Sequence, residues 1–430
     1  MRYNRLGMVP KGLIAPCFSA PRGRNTGMTE SLRDVATERF PTRPIAPLGI
    51  IAMRGTEHMG AVVNDYLMRW QHADDESEWL HSFPGYEDNG FLIDAHCPRF
   101  GTGEGKGMLR SSVRGYDLYI LLDMGAYNCT YKMYGREVPM TPDEHYADLK
   151  RIIAAAGGKA KRITVIMPML YEARQHRRVS RESMDCALML QELTRMGVEN
   201  IITFDAHDPR VQNAIPLSGF ENFMPTYQML KALLRSEKDL QLDKDHMIVI
   251  SPDEGAIQRN IYYASALGLN LGMFYKRRDY TRVVDGRNPI IAHEYLGESV
   301  EGKDVFVADD IISSGESVLD LARELKARKA RRIYAAGTFA LFTNGLDAFH
   351  KAYADGIITK IIATNLTYRT PELLAAPWFA EADMSKYIAY IIATLNHDRT
   401  LSGLLNPWNR IKALLERYRN EQAQSGIRLV

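Results

Sequence analysis

The sequence predicts an α/β protein of two domains, each a mainly parallel sheet flanked by helices, and three observations predict it. Short apolar, β-branched runs recur at residues 118–122, 163–167, 201–204, 247–250, 305–308, 333–336 and 361–363, each of a length suited to a buried strand. Between them lie stretches with helical spacing. After Gly315, the residues Val318, Leu321, Ala322 and Leu325 make one apolar stripe, and residues 185–196 behave similarly and stop at Gly197. Finally, the polar segments that end the runs are dense in two regions, separated by the charged stretch 236–245, which places one sheet on each side. The divisions expected are a basic, flexible tail at 1–45, domains at 46–235 and 236–400, and a C-terminal helix at 401–430.

Composition narrows the function classes. The 430 residues are 46% hydrophobic and 25% charged, the globular average, and no run of eighteen apolar residues exists to cross a bilayer. With 54 basic and 52 acidic residues, no uniform field exists to hold nucleic acid, so anion binding has to be local. Cys17, Cys97, Cys129 and Cys186 are scattered, with no C-x-x-C pair, which fits a reducing compartment and a cytoplasmic location. The first 28 residues carry Arg2, Arg5, Lys11, Arg22 and Arg24 and no acid. Pro10, Pro16 and Pro21 would break a presequence helix, so a flexible tail, or translation from Met28, is the expectation there.

In open α/β sheets ligands bind beyond the carboxyl ends of the strands, so the segments that follow the apolar runs carry the chemistry. Run 305–308 is followed by Asp309 and Asp310, two aliphatic residues, and then Ser313, Ser314, Gly315, Glu316 and Ser317 opening a helix. Serine hydroxyls and helix N-terminal amides can surround a phosphate, while the carboxylates accept from a vicinal diol. A plain capped turn would explain the serines alone; the whole combination points to a ribose phosphate site. Asp205 and His207 follow run 201–204, Asp253 follows 247–250, and Glu172 to Arg178 follows 163–167. Lys276 and Arg278 follow an apolar strand at 270–275 and begin a Gly- and Pro-containing segment, 279–303, that reads as a lid.

These segments resemble the motifs of the ribose-phosphate pyrophosphokinase family, of which the chain looks like a long-form member. R-F-G-T-G-E at 99–104, running on to S-V-R-G-Y-D at 112–117, is similar to the family's R-F-S-D-G-E and S-I-R-G-x-D. Residues 171–178, Y-E-A-R-Q-H-R-R, resemble Y-A-R-Q-D-R-K, and S-R-E at 180–182 resembles S-R-E-P. D-A-H-D-P at 205–209 resembles D-L-H-A-P, S-P-D-E-G at 251–255 resembles S-P-D-x-G, and Y-K-R-R at 275–278 resembles D-K-R-R. The resemblance implies two phosphoribosyltransferase-like domains, with ATP and ribose 5-phosphate as substrates and Mg2+ as cofactor. It also implies a homo-oligomer with sites near subunit interfaces.

It assigns roles residue by residue. Phe100, Thr102, Glu104, Arg174 and Gln175 would contact ATP; Asp309, Asp310 and Ser313 to Ser317 would hold ribose phosphate; His207, Asp253 and Asp205 would bind metal or its waters; Lys276 and Arg278 would act on the transferring phosphates. Two departures stand out: Thr102 replaces the family's adenine-contacting Asp, and Glu316 replaces a Gly beside the phosphate loop. Extra material lies before Leu48 and at 71–89 and 127–140. Competing expectations are the same chemistry on another ribosyl acceptor such as ADP-ribose, a phosphoribosyltransferase, and a non-catalytic regulatory homologue.

Overall fold

The computed structural model describes residues 43–71, 90–278 and 290–424, with positions 276–278 and 290–293 described by backbone alone. The N-terminal tail, nearly all of the 71–89 insertion and the centre of the expected lid lie outside the described residues. In chain order the strands are β1 (Leu48–Ala52), β2 (Ala95–His96), β3 (Met108–Leu109), β4 (Asp117–Leu121), β5 (Thr130–Met133), β6 (Arg136–Pro139), β7 (Arg162–Ile166), β8 (Asn200–Phe204) and β9 (Gly219–Phe223). They continue as β10 (Met247–Ser251), β11 (Asn270–Arg278), β12 (Ile290–Leu296), β13 (Asp304–Ile312), β14 (Ile333–Ala340), β15 (Lys360–Thr364) and β16 (Phe379–Ala382).

Among the described residues two large sheets result, beside the small antiparallel pairs β2–β3 and β5–β6. The first is parallel, in the order β1-β4-β7-β8-β9, and the second runs β12-β11-β10-β13-β14-β15-β16 with only the β11–β12 pair antiparallel. Strands covered on both faces need apolar residues throughout, and β4, β7 and β10 are buried at every position. The insertion at 127–140 forms the β5–β6 hairpin, turned by Tyr134 and Gly135, both at positive φ.

Several strands outrun their apolar cores. β13 keeps its register with β14 through Asp309↔Gly337 and Ile311↔Phe339, so the acidic pair lies within the strand instead of after it. β11 likewise does not stop at Tyr275: it continues through Arg278 and pairs with β12, with Lys276 opposite His293. Lys276 and Arg278 therefore sit on a β-ribbon, and part of the expected lid is strand β12.

The two sheets exchange helices across residues 235 and 236. Helix Thr226–Ser236, upstream of that point, buries Met229, Leu230 and Leu233 in one cluster with Phe306, Tyr334 and Ile362 of the second sheet. Helix Ser385–Asn396, downstream of it, returns to the first sheet. Arg162 and Asp117 are paired there at 2.7 Å, the Leu395 carbonyl accepts from Arg162, and the Asn396 amide donates to Asp117 at 2.9 Å. Trp70 stacks on Tyr390 at 4.5 Å on the same side. The C-terminal helix begins at Trp408, after a short turn at Ser402–Leu405, and inserts Ile411, Leu415 and Tyr418 beside helix Thr226–Ser236.

Candidate active site

The carboxyl ends of β8, β10 and β13 meet at one cavity of about 1260 Å³ between the sheets. Its wall brings together Arg174, Asp205 and His207 from the first sheet with Asp253, Asp309, Asp310 and Ser313 from the second, and Tyr275 of β11 also faces it. Seven of the residues singled out from sequence thus share one space. Ser314 to Ser317 continue the loop away from the cavity wall, and Gln175 uses its backbone amide on the Glu172 carbonyl at 2.8 Å. Phe100, Thr102 and Glu104 are not brought in. They form a tight exposed turn in which the Phe100 amide donates to the Glu104 carbonyl and the Thr102 hydroxyl to the Glu104 carboxylate, leaving Phe100 58% exposed.

Two contacts tie the sheets together at the floor of the cavity. Asp205 adopts φ +44, a left-handed conformation that is costly for a residue with a Cβ. Its carboxylate accepts from the Arg259 guanidinium at 2.7 Å and from the Thr338 hydroxyl at 2.5 Å. Much of its acceptor capacity is therefore spent on the junction between sheets. His207 reaches across as well, its Nδ1 lying 2.7 Å from Asp310 Oδ2. The hydrogen bond to Asp310 raises the imidazole pKa against the opposing effect of burial.

The acidic pair of β13 is split electrostatically. Burial and the neighbouring Asp310 push the Asp309 carboxyl up to about 7. Burial also acts to raise Asp310, but the His207 hydrogen bond and the Arg259 charge outweigh it and hold Asp310 well below the usual carboxylate range. Arg259 stands 3.7 Å from Asp309 as well, so one guanidinium serves three carboxylates. Asp253 turns Oδ1 to the Gly255 and Ala256 amides at 3.0 and 3.2 Å, at the start of the helix that carries Arg259.

The serine loop needs its glycine twice over. Gly315 has φ +88 and begins helix Glu316–Ala327, and a Cβ there would lie 2.2 Å from the Phe349 ring. The Glu316 carboxylate, unfavourable beside an anion, accepts from the Asn344 side-chain amide at 3.2 Å.

Sequence reasoning missed Arg259, Asp208, Arg210 and the C-terminal residues Leu405, Asn406 and Pro407, all of which line the cavity. Arg259 lies six residues beyond Asp253 in an unremarkable helix turn. Its partners, Asp205 from the other sheet and the acidic pair of β13, are 50 or more positions away in sequence and come to it only through folding.

Comparison with known proteins agrees with this architecture. Residues 50–197 match the N-terminal domain of ribose phosphate pyrophosphokinase, and residues 226–366 match the phosphoribosyl transferase domain. The ribose-phosphate pyrophosphokinase of Vibrio parahaemolyticus serotype O3:K6 is 28% identical over 320 residues, covering 73% of this chain and 92% of its own. That of Vibrio cholerae serotype O1 is 27% identical over 318 residues, with the same shares. The crystal structure of phosphoribosylpyrophosphate synthetase from Mycobacterium smegmatis superposes with a TM-score of 0.63 at 21% identity, covering 82% of this chain and 99% of that one, and shows the shared fold. With both domains matched in order and strand endings that carry the family's motifs, the chain belongs to the ribose phosphate pyrophosphokinase family.

Proposed function

We propose that this protein is a ribose-phosphate diphosphokinase, which moves the pyrophosphoryl group of ATP to the anomeric hydroxyl of ribose 5-phosphate and releases AMP. The observation that carries the reading is the contact of His207 with Asp310, which sets the donor-side strand endings and the sugar-side acidic strand on one cavity. In the reaction the anomeric oxygen attacks the β-phosphorus of ATP, the bond from that phosphorus to the α-phosphate oxygen breaks, and the hydroxyl proton is lost to solvent or a carboxylate.

Phosphoryl chemistry of this kind asks the protein to position two polyanions and neutralise charge. Asp309 and Asp310 would accept from the ribose diol, with Ser313 to Ser317 cradling the 5-phosphate at a helix N-terminus. Arg174 would meet the triphosphate. Phe100, Thr102, Glu104 and Gln175 stay assigned to ATP through the family motifs. Lys276 and Arg278, on the ribbon next to the cavity-facing Tyr275, would counter charge developing on the transferring group and grip substrate.

The donor chemistry of the cavity suits Mg2+ carried in largely by the phosphates. Among the described residues no cluster of three or more His, Cys, Asp or Glu side chains is arranged to hold a metal alone. Mg2+ keeps several waters and substrate oxygens and needs one or two carboxylates. Asp253 and His207 would hold it or its waters; Asp205, committed to Arg259 and Thr338, has less to offer. Bound there, the metal would supply charge neutralisation on the triphosphate.

The test is an assay of the purified chain with ATP and Mg2+ against ribose 5-phosphate and ADP-ribose, reading AMP. AMP release that depends on ribose 5-phosphate is expected. Release with ADP-ribose alone would change the acceptor, and release with neither would end the proposal.

A further inference from the structure

Two departures from the family's motifs meet in space. Where the motif reads A-R-Q-D this chain reads A-R-Q-H, placing His176 in the position of a carboxylate, and where it reads D-L-H-A this chain reads D-A-H-D, placing Asp208 in the position of an alanine. The first residue follows β7 and the second follows β8, which are neighbours in the first sheet. His176 Nε2 lies 3.5 Å from Asp208 Oδ2. The carboxylate has moved from one strand ending to the next, and an imidazole has taken its place.

Asp208 is well anchored. Its two oxygens receive the Arg210 guanidinium at 2.5 and 2.9 Å and its Oδ1 also receives the Arg210 amide, at the start of the 3-10 turn Pro209–Ala214. A fixed carboxylate opposite Nε2 selects the tautomer with its proton on that nitrogen and leaves Nδ1 as the acceptor. Nδ1 is buried, and it has no hydrogen-bond partner in the described chain. The ring lines the cavity beside Arg174 and packs against the His207 ring at 5.4 Å. A buried acceptor on a ligand cavity, oriented by a carboxylate and unmet by protein, calls for a donor from the ligand.

We infer that His176 and Asp208 form one specificity unit in which Asp208 orients the imidazole and His176 Nδ1 accepts a hydrogen bond from the nucleoside part of the donor nucleotide. The inference rests on the assignment of ATP to the Arg174 side of the cavity. The donor is a ribose hydroxyl or the exocyclic amine of the base. It gives this chain a nucleoside contact that a carboxylate at position 176 would make with an added negative charge near the triphosphate.

The reciprocal exchange provides the test, with steady-state constants for ATP and ribose 5-phosphate and melting temperatures measured on the full chain. His176→Asp sets two carboxylates together beside the triphosphate and should raise the KM for ATP about tenfold or more, with the KM for ribose 5-phosphate and the melting temperature little changed. Asp208→Ala frees the ring and should cost less. The double variant His176→Asp/Asp208→Ala restores the motif pattern and should return the KM for ATP to within a few-fold of the starting protein. Losses that simply multiply, or that fall on ribose 5-phosphate, overturn the unit. In parallel, 2′-deoxy-ATP and the 6-desamino analogue are compared with ATP in the starting protein and in His176→Leu, whose side chain has no acceptor; the donor is the group whose removal no longer matters in the variant, and equal handicaps in both proteins overturn the direct contact. Arg174→Ala is the separate check on the underlying assignment, since an unchanged KM for ATP there would move ATP elsewhere whatever His176 does.

Discussion

Arg259 and Asp205 form a buried ion pair across the junction of the two sheets, with Nη2 2.7 Å from Oδ1. The guanidinium approaches from the helix after β10 and the carboxylate from the end of β8, so the pair sets how the two halves of the cavity face one another.

Replacement of Arg259 by Met leaves the Asp205 carboxylate buried without its main partner, and loss of one member of such a pair costs about 3 to 5 kcal/mol. The urea midpoint should fall accordingly. A change below about 0.5 kcal/mol, within the ordinary range of surface substitutions, would mean that the junction holds without the pair.

Asp310→Asn should damage both halves of the reaction. The amide accepts from the ribose diol less well than a carboxylate, which predicts a loss of roughly 1.5 to 3 kcal/mol in acceptor binding. From sequence alone, ATP would be nearly unaffected. The contact with His207 changes that expectation, because the imidazole loses a charged partner. The Mg2+ dependence should therefore shift as well, and a normal magnesium titration in the variant would uncouple His207 from the acidic strand.

The pH profile follows from Asp309, whose carboxyl stands at about 7 because of burial and of Asp310. A diol donates more strongly to the ionised form, so the KM for ribose 5-phosphate should fall as pH rises from about 6 to about 8. The stability linkage has the opposite sign. A carboxyl raised in the folded state contributes stability below its unfolded pKa, near 4, and that contribution is lost as pH rises through 7. Asp309→Asn should flatten both profiles, and an unaltered KM profile in that variant would assign the titration to another group.

Gly315→Ala combines a left-handed φ of +88 with a Cβ 2.2 Å from the Phe349 ring. The conformation alone costs about 1 to 2 kcal/mol, and the clash must shift the ring or the loop. A lower melting temperature with a raised KM for ribose 5-phosphate is expected, and Phe349→Leu in the same chain should recover part of the stability. An intact KM would detach this loop from the acceptor.

The two-sheet α/β class and the chemistry of the strand endings were legible in the residues alone. Those features are local: a β-branched run such as Ile163 to Ile166 reads as buried strand wherever it folds, and Ser313 to Ser317 opening a helix makes an anion-ready terminus from its own backbone. Which endings meet depends on how the two sheets pack. The pairing of Asp205 with Arg259, the reach of His207 to Asp310, the contact of His176 with Asp208 and the crossing of helices Thr226–Ser236 and Ser385–Asn396 to the opposite sheets leave no periodic trace. Their partners are separated by between 32 and 279 positions, and a charge becomes a buried partner only when packing removes its water.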